Sequence, residues 1–139
     1  GADSEREMML ATTTGSPEEV RRIFDQDDLG KAQKLVRAMP VGEKVADHIV
    51  HLVRQCRPGE EGAENVNKYV DWGPGPRASQ ALILACRAKA LLEGRAAPSS
   101  EDVEALAGPV LKHRMALNFK ARSDDVSREQ IIRSLVNTI

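Results

Sequence analysis

Arg77 stands at the head of a long apolar run, directly behind a turn stiffened by glycine and proline: Asp71-Trp72-Gly73-Pro74-Gly75-Pro76-Arg77-Ala78-Ser79-Gln80-Ala81-Leu82. That spacing suits an anion-binding helix start. Gly75 can cap the helix, and Pro76 fits its first position because the N–H that proline lacks has no partner there in any case. Arg77 adds a fixed positive charge where free amides and the helix dipole already favour phosphate. Taken by itself, such an arginine is equally well explained by pairing with a carboxylate at the turn.

The other reactive side chains build no second constellation. His48 and His51 lie one helical turn apart, but the sequence holds one further histidine, His113, and no carboxylate pattern completes a ligand set. No metal site is expected, and the pair reads as part of a solvated or subunit-facing polar face. Cys56 and Cys86 are the two cysteines; both fall in apolar helical segments and read as reduced core residues. Asp25, Asp27, Asp28, Glu60 and Glu61 lie in expected turns, too scattered for a catalytic pair. Arg54, Arg57, Arg87 and Arg95 read as ordinary surface ion pairs. Trp72 is expected to pack within its own domain in preference to a purine. Nowhere is there a Gly-x-x-x-x-Gly-Lys-Ser/Thr loop, or an apolar strand ending in an acidic pair that could hold Mg²⁺. The chain alone therefore carries no catalytic residues for ATP hydrolysis.

Composition bounds what positions Arg77. The 139 residues are 41% apolar and 29% charged, as in one soluble globular domain. Aromatics make up only 3%, so Leu, Val, Ile, Ala and Met must fill the core, which favours helices over sheets. A net charge of −1 argues against a nucleic-acid surface. No apolar run is long enough for a membrane span and no basic-then-apolar leader opens the sequence, so a cytoplasmic location is expected.

Capping signals divide the chain into helices. Ser16-Pro17-Glu18-Glu19 predicts a short helix ending near Phe24, and Leu29, Ala32, Val36 and Met39 form an apolar stripe stopped by Pro40. From about Glu43 to Arg57, Val45, Ile49, Leu52, Val53 and Cys56 share one face while Lys44, His48, His51 and Gln55 share another. Residues 58–75 read as a long loop anchored by Tyr69, Val70 and Trp72. The helix from Pro76 to Glu93 is apolar over most of its circumference and is expected to be the central, most buried one, ended by Gly94. Ser99 and Ser100 ahead of Glu101 and Asp102 start the next, which Pro109 should kink or split. Met115, Leu117 and Phe119 alternate as in a short strand, and a capping box from Ser127 to Gln130 opens a last helix with Ile131, Ile132, Leu135 and Val136.

The order of these motifs resembles the C-terminal helical lid of MoxR-type AAA+ ATPases. Gly75-Pro76-Arg77-Ala78 sits where that family has its sensor 2 motif. Ala85-Cys86-Arg87-Ala88-Lys89-Ala90-Leu91-Leu92-Glu93-Gly94-Arg95 is similar to its alanine-rich helix ending in Gly-Arg. Ser100-Glu101-Asp102-Val103 and Val110-Leu111-Lys112-His113-Arg114 follow in order, and His48-Ile49-Val50-His51-Leu52-Val53-Arg54 matches the helix ahead of the sensor turn, so the resemblance covers roughly residues 28 to 117. It implies an all-α lid bundle of about five helices with one long loop over residues 27–139, residues 1–26 being a connector from a missing AAA+ core. An initial glycine, without an initiator methionine, fits an excised piece.

By the same resemblance, Arg77, supported by Gly75 and Pro76, would contact the phosphates of ATP held with Mg²⁺ by that core. No cofactor would bind this fragment tightly. Implied partners are the core of the same chain, neighbouring subunits of a hexameric ring, and a client protein acted on together with proteins bearing von Willebrand A domains. His113-Arg114 matches a family pair at a helix end, where basic side chains can satisfy carbonyls. A different class remains open: a free-standing helical adaptor that binds a partner protein and no nucleotide.

Overall fold

The computed structural model describes residues 1–13 and 21–138. The chain divides into two compact units, residues 1–31 and 32–139. In the first, α1 (Ala2–Thr13) buries none of its residues. The helix expected to open at Ser16 falls largely outside the described residues, and residues 21–24 are not helical. α2 (Gln26–Ala38) begins in this unit. The Asp28 N–H donates to Asp25 Oδ1 at 2.8 Å, so Asp27 and Asp28 lie in the first helical turn, where the dipole favours them, and not in a turn ahead of it.

In the second unit the stripe closing α2 leads into Met39, which is buried. α3 (Glu43–Gln55) buries Val45, Ile49, Leu52 and Val53, with Cys56 buried at its C-cap, as its periodicity predicts. Two departures follow. Residues 58–75 are not one loop: they hold α4 (Glu64–Tyr69) and β1 (Val70–Trp72). α4 is too short for a helical period to show, with Val66 its one buried side chain. β1 pairs antiparallel with β2 (Ala116–Leu117), Val70 opposite Leu117 and Trp72 opposite Ala116, with an irregularity between. The molecule is thus mostly helical, with eight α-helices among the described residues and a two-stranded ladder, where an all-α bundle of about five helices was expected and only the segment at Met115–Phe119 read as extended.

α5 (Pro76–Leu92) and α6 (Ser100–Leu111) pack against each other more extensively than any other pair of elements. α5 buries a stripe of mostly small residues at every fourth position, Ala78, Leu82, Cys86 and Ala90, which lets its neighbours approach closely. Its apolar side chains beyond the opening Pro76 are buried or half-buried apart from Leu92, which is 88% exposed. α6 packs against α5, α3 and α8 (Arg128–Val136), and is where the layers meet. Pro109 does not split α6. It falls in the last turns, and the helix tightens only afterwards into the 3₁₀ turn Lys112–Arg114. Phe119 opens α7 (Phe119–Ser123), with Asn118 capping, instead of extending the strand, and is 83% exposed. The capping box of Ser127 and Gln130 forms as expected.

Candidate functional site

Gly75 takes the N-cap of α5 in extended conformation and Pro76 opens the helix. Pro76 has no N–H, and the Ala78 N–H is already bonded to the Gly75 carbonyl at 2.9 Å. Few helix amides are left over, so the positive character of this end rests mainly on the Arg77 guanidinium. Arg77 is exposed and, among the described residues, has neither a hydrogen-bond nor an ion-pair partner. The carboxylate pairing that would explain it as a structural residue does not form.

The turn ahead of Arg77 is held from two sides. Gly73 lies so close to the end of α3 that a Cβ there would stand 2.3 Å from the Cys56 carbonyl oxygen and 2.8 Å from Arg57 Cα. Pro74 is fully buried, and its carbonyl accepts the Arg57 Nε–H at 2.6 Å. Arg57 is therefore not a surface ion pair. On the upstream side the β1–β2 ladder fixes Trp72 opposite Ala116. The expectation that Trp72 packs within the domain fails: 61% of it is exposed, because the register irregularity between Val70 and Trp72 breaks the alternation that would otherwise place both on one face. Tyr69, half-buried, and Val70, buried, do anchor this segment, with the Tyr69 hydroxyl bonded to Asp124 Oδ2 at 3.1 Å.

Sequence reasoning missed a second cluster, at the far end of α5. Asp102, only 1% exposed, accepts Arg95 Nη2 at 2.7 Å and Nη1 at 2.8 Å, Lys89 Nζ at 3.0 Å and the Ser99 N–H at 2.8 Å. The hydrogen bonds from Arg95 outweigh burial and hold the Asp102 carboxyl far below the usual carboxylate range. Asp102 in turn, together with Glu93, pushes the Arg95 guanidinium above its ordinary value. Arg95 thus makes an expected surface pair, with Glu93, and also reaches the buried Asp102 carboxylate. The available signal was the Gly94-Arg95 that ends the alanine-rich helix, followed by an aspartate three residues after a serine cap. Arg87 donates to a backbone carbonyl, that of Arg37, and Arg54 makes the expected surface pair, with Glu61.

The remaining candidates are dispersed. His48 is half-buried, with Nε2 unpartnered, and His51 is exposed. Among the described residues no group of three or more His, Cys, Asp or Glu side chains comes together. His113 and Arg114 fall in the 3₁₀ turn, and neither bonds a helix carbonyl among the described residues. Cys56 and Cys86 are buried free thiols, pushed up by burial to about 12 and about 11. No helix of the described residues is long and apolar enough to cross a membrane.

The AAA lid domain model matches residues 62–135, which span the small helical unit that carries the Gly73–Gly75 turn. The chain belongs to that family. Its relatives place it among MoxR proteins: it is 30% identical over 138 residues to Chaperone MoxR1 of Mycobacterium tuberculosis, covering 99% of this chain and 36% of that protein. It is 36% identical over 77 residues to Protein MoxR of Paracoccus denitrificans, covering 55% and 22%. The crystal structure of a candidate ATPase from Cytophaga hutchinsonii matches with a TM-score of 0.86 and 26% identity, over 100% of this chain and 43% of that one. The chain thus spans little more than a third of the length of the first curated relative, 36%.

Proposed function

We propose that this chain serves as the lid of a MoxR-type AAA+ ATPase, and that Arg77 reads the terminal phosphate of ATP bound with Mg²⁺ by the core. The observation that carries the reading is Arg77 itself: a charged, exposed, partnerless side chain on the first turn of a 17-residue helix, behind a turn clamped to α3. A cation held in place with nothing to bind is poised for a ligand that arrives from outside the domain. Losing the γ-phosphate removes charge from the arginine's partner, so the preferred angle between lid and core changes and hydrolysis is coupled to lid motion.

Residues 1–26 act as the connector from the core, neighbouring subunits of a ring complete the site, and the motion remodels a client protein, with proteins carrying von Willebrand A domains as accessory partners. The name Chaperone MoxR1 of the relative supports this chaperone-like role.

The test is Arg77→Ala in the full-length parent. Losing one charge-assisted contact made to the reacting phosphates lowers ATP turnover by about 10- to 100-fold, while the lid's thermal unfolding stays unchanged because Arg77 has no partner within it. Wild-type turnover and client remodelling in that variant would exclude the sensor role and leave the adaptor reading.

A further inference from the structure

Arg57 follows the last turn of α3, and its bond to the Pro74 carbonyl, 2.6 Å long and partly buried, is the only side-chain hydrogen bond among the described residues that reaches the Gly73–Gly75 turn. The turn cannot move toward α3, because Gly73 already touches the Cys56 carbonyl and Arg57 Cα. The Arg57 bond opposes movement away. Pro74 brings no N–H of its own, so no backbone donor at that residue can substitute.

The root of the Arg57 side chain is itself fixed. Its N–H bonds the Arg54 carbonyl at 3.0 Å. Gly62 packs so tightly on the Arg57 carbonyl that a Cβ there would stand 2.2 Å from its oxygen. Asn67 ties Gly59 and Gly62 together, accepting from the Gly59 N–H at 2.7 Å and donating to both carbonyls. A rigid, planar guanidinium on a fixed root therefore sets the height of the Pro74 carbonyl, and with it the start of α5. A flexible ammonium would not define that direction.

We propose that Arg57 is the positioning residue for Arg77: it fixes the turn that presents the sensor and takes part in the nucleotide response without touching nucleotide. This rests on the reading of Arg77 given above. Because the bond lies three residues ahead of Arg77 in the same stiff turn, its loss displaces the sensor guanidinium while the α5–α6 packing stays in place.

The experiment is a double-mutant cycle in the full-length parent, with Arg57→Ala, Arg77→Ala and the double variant. It measures ATP turnover together with hydrogen exchange over residues 73–79. Arg57→Ala is expected to lower turnover by about 10- to 100-fold, the scale of an ångström-sized misplacement. It should also speed exchange at residues 73–79 while leaving α8 unchanged, and add less than about twofold in the Arg77→Ala background. Losses that multiply, or wild-type turnover in Arg57→Ala when Arg77→Ala is impaired, overturn the positioning role alone. A silent Arg77→Ala defeats the sensor reading, and this inference with it. Should Arg57→Ala fail to fold, Arg57→Lys carries the same cycle: a smaller loss that does not multiply is expected, and a multiplying loss or none overturns the proposal.

Discussion

Replacing Asp102 gives the sharpest test of what holds α5 to α6. Its carboxylate is the one buried charge among the described residues and collects two bonds from Arg95, one from Lys89 and the cap bond from Ser99. Removing one member of a buried ion pair costs about 3–5 kcal/mol when the other charge is left stranded. Here Lys89 keeps 33% and Arg95 34% of their side-chain surface exposed, so both rehydrate and the cost falls toward about 2 kcal/mol. Loss of the cap adds about 1 kcal/mol. Asp102→Ala should therefore lose about 3 kcal/mol, or about 10 °C in Tm for a domain this size. Asp102→Asn should lose nearly as much, because its NH₂ must face a donor.

The pH dependence has a definite sign. A carboxyl depressed by folding stabilises fully above its unfolded value, near about 3.9, and its contribution is lost as pH falls toward the folded value. The gap between wild type and Asp102→Asn in urea titrations should be widest at pH 7 and narrow on going to pH 3. Both variants within about 0.5 kcal/mol of wild type at pH 7, or a gap that widens in acid, would refute the network.

Three further outcomes are expected. Leu82→Ala, at a fully buried position, should cost about 2–5 kcal/mol in chemical denaturation, whereas Leu92→Ala, 88% exposed on the same helix, should stay within about 0.5 kcal/mol of wild type. Gly73→Ala drives a methyl to 2.3 Å from the Cys56 carbonyl and should lower stability by about 1–3 kcal/mol; Gly75→Ala, with open space and negative φ, should be near neutral by the same thermal melts. With their thiols pushed up to about 12 and about 11, Cys56 and Cys86 should resist iodoacetamide at pH 8 and react on unfolding; rapid labelling of the native chain would contradict their burial.

What the sequence made legible was whatever repeats or caps. The α3 face, the Ser127 box and the Gly75-Pro76 start of α5 all follow from local rules, and each formed where expected. The misses come from partners distant in sequence or from elements too short to have a period. Arg57 and Arg95 look like any surface arginine until Pro74 and Asp102 are brought to them. β1 spans three residues and exists because Ala116 and Leu117 lie beside it. The exposure of Trp72 was not legible because a tryptophan implies burial, while the irregularity in the β1–β2 ladder that turns it outward depends on a distant strand. Arg77 falls on the first turn of α5 as read, since Gly75 and Pro76 fix where the helix starts from local geometry.

The β1–β2 ladder has a consequence for the order of assembly. It joins the strand ahead of the Gly73–Gly75 turn to a segment reached only after both α5 and α6, whereas the contact between those two helices is local in the chain. Local contacts are made early and distant ones late, because a longer stretch of chain must first be closed. The helical hairpin can thus form before its base is shut, and the turn carrying Arg77 acquires its final shape only when the two short strands meet. The start of α5 is thus set both by its tie to α3 and by a strand that lies beyond the α5–α6 hairpin in the chain.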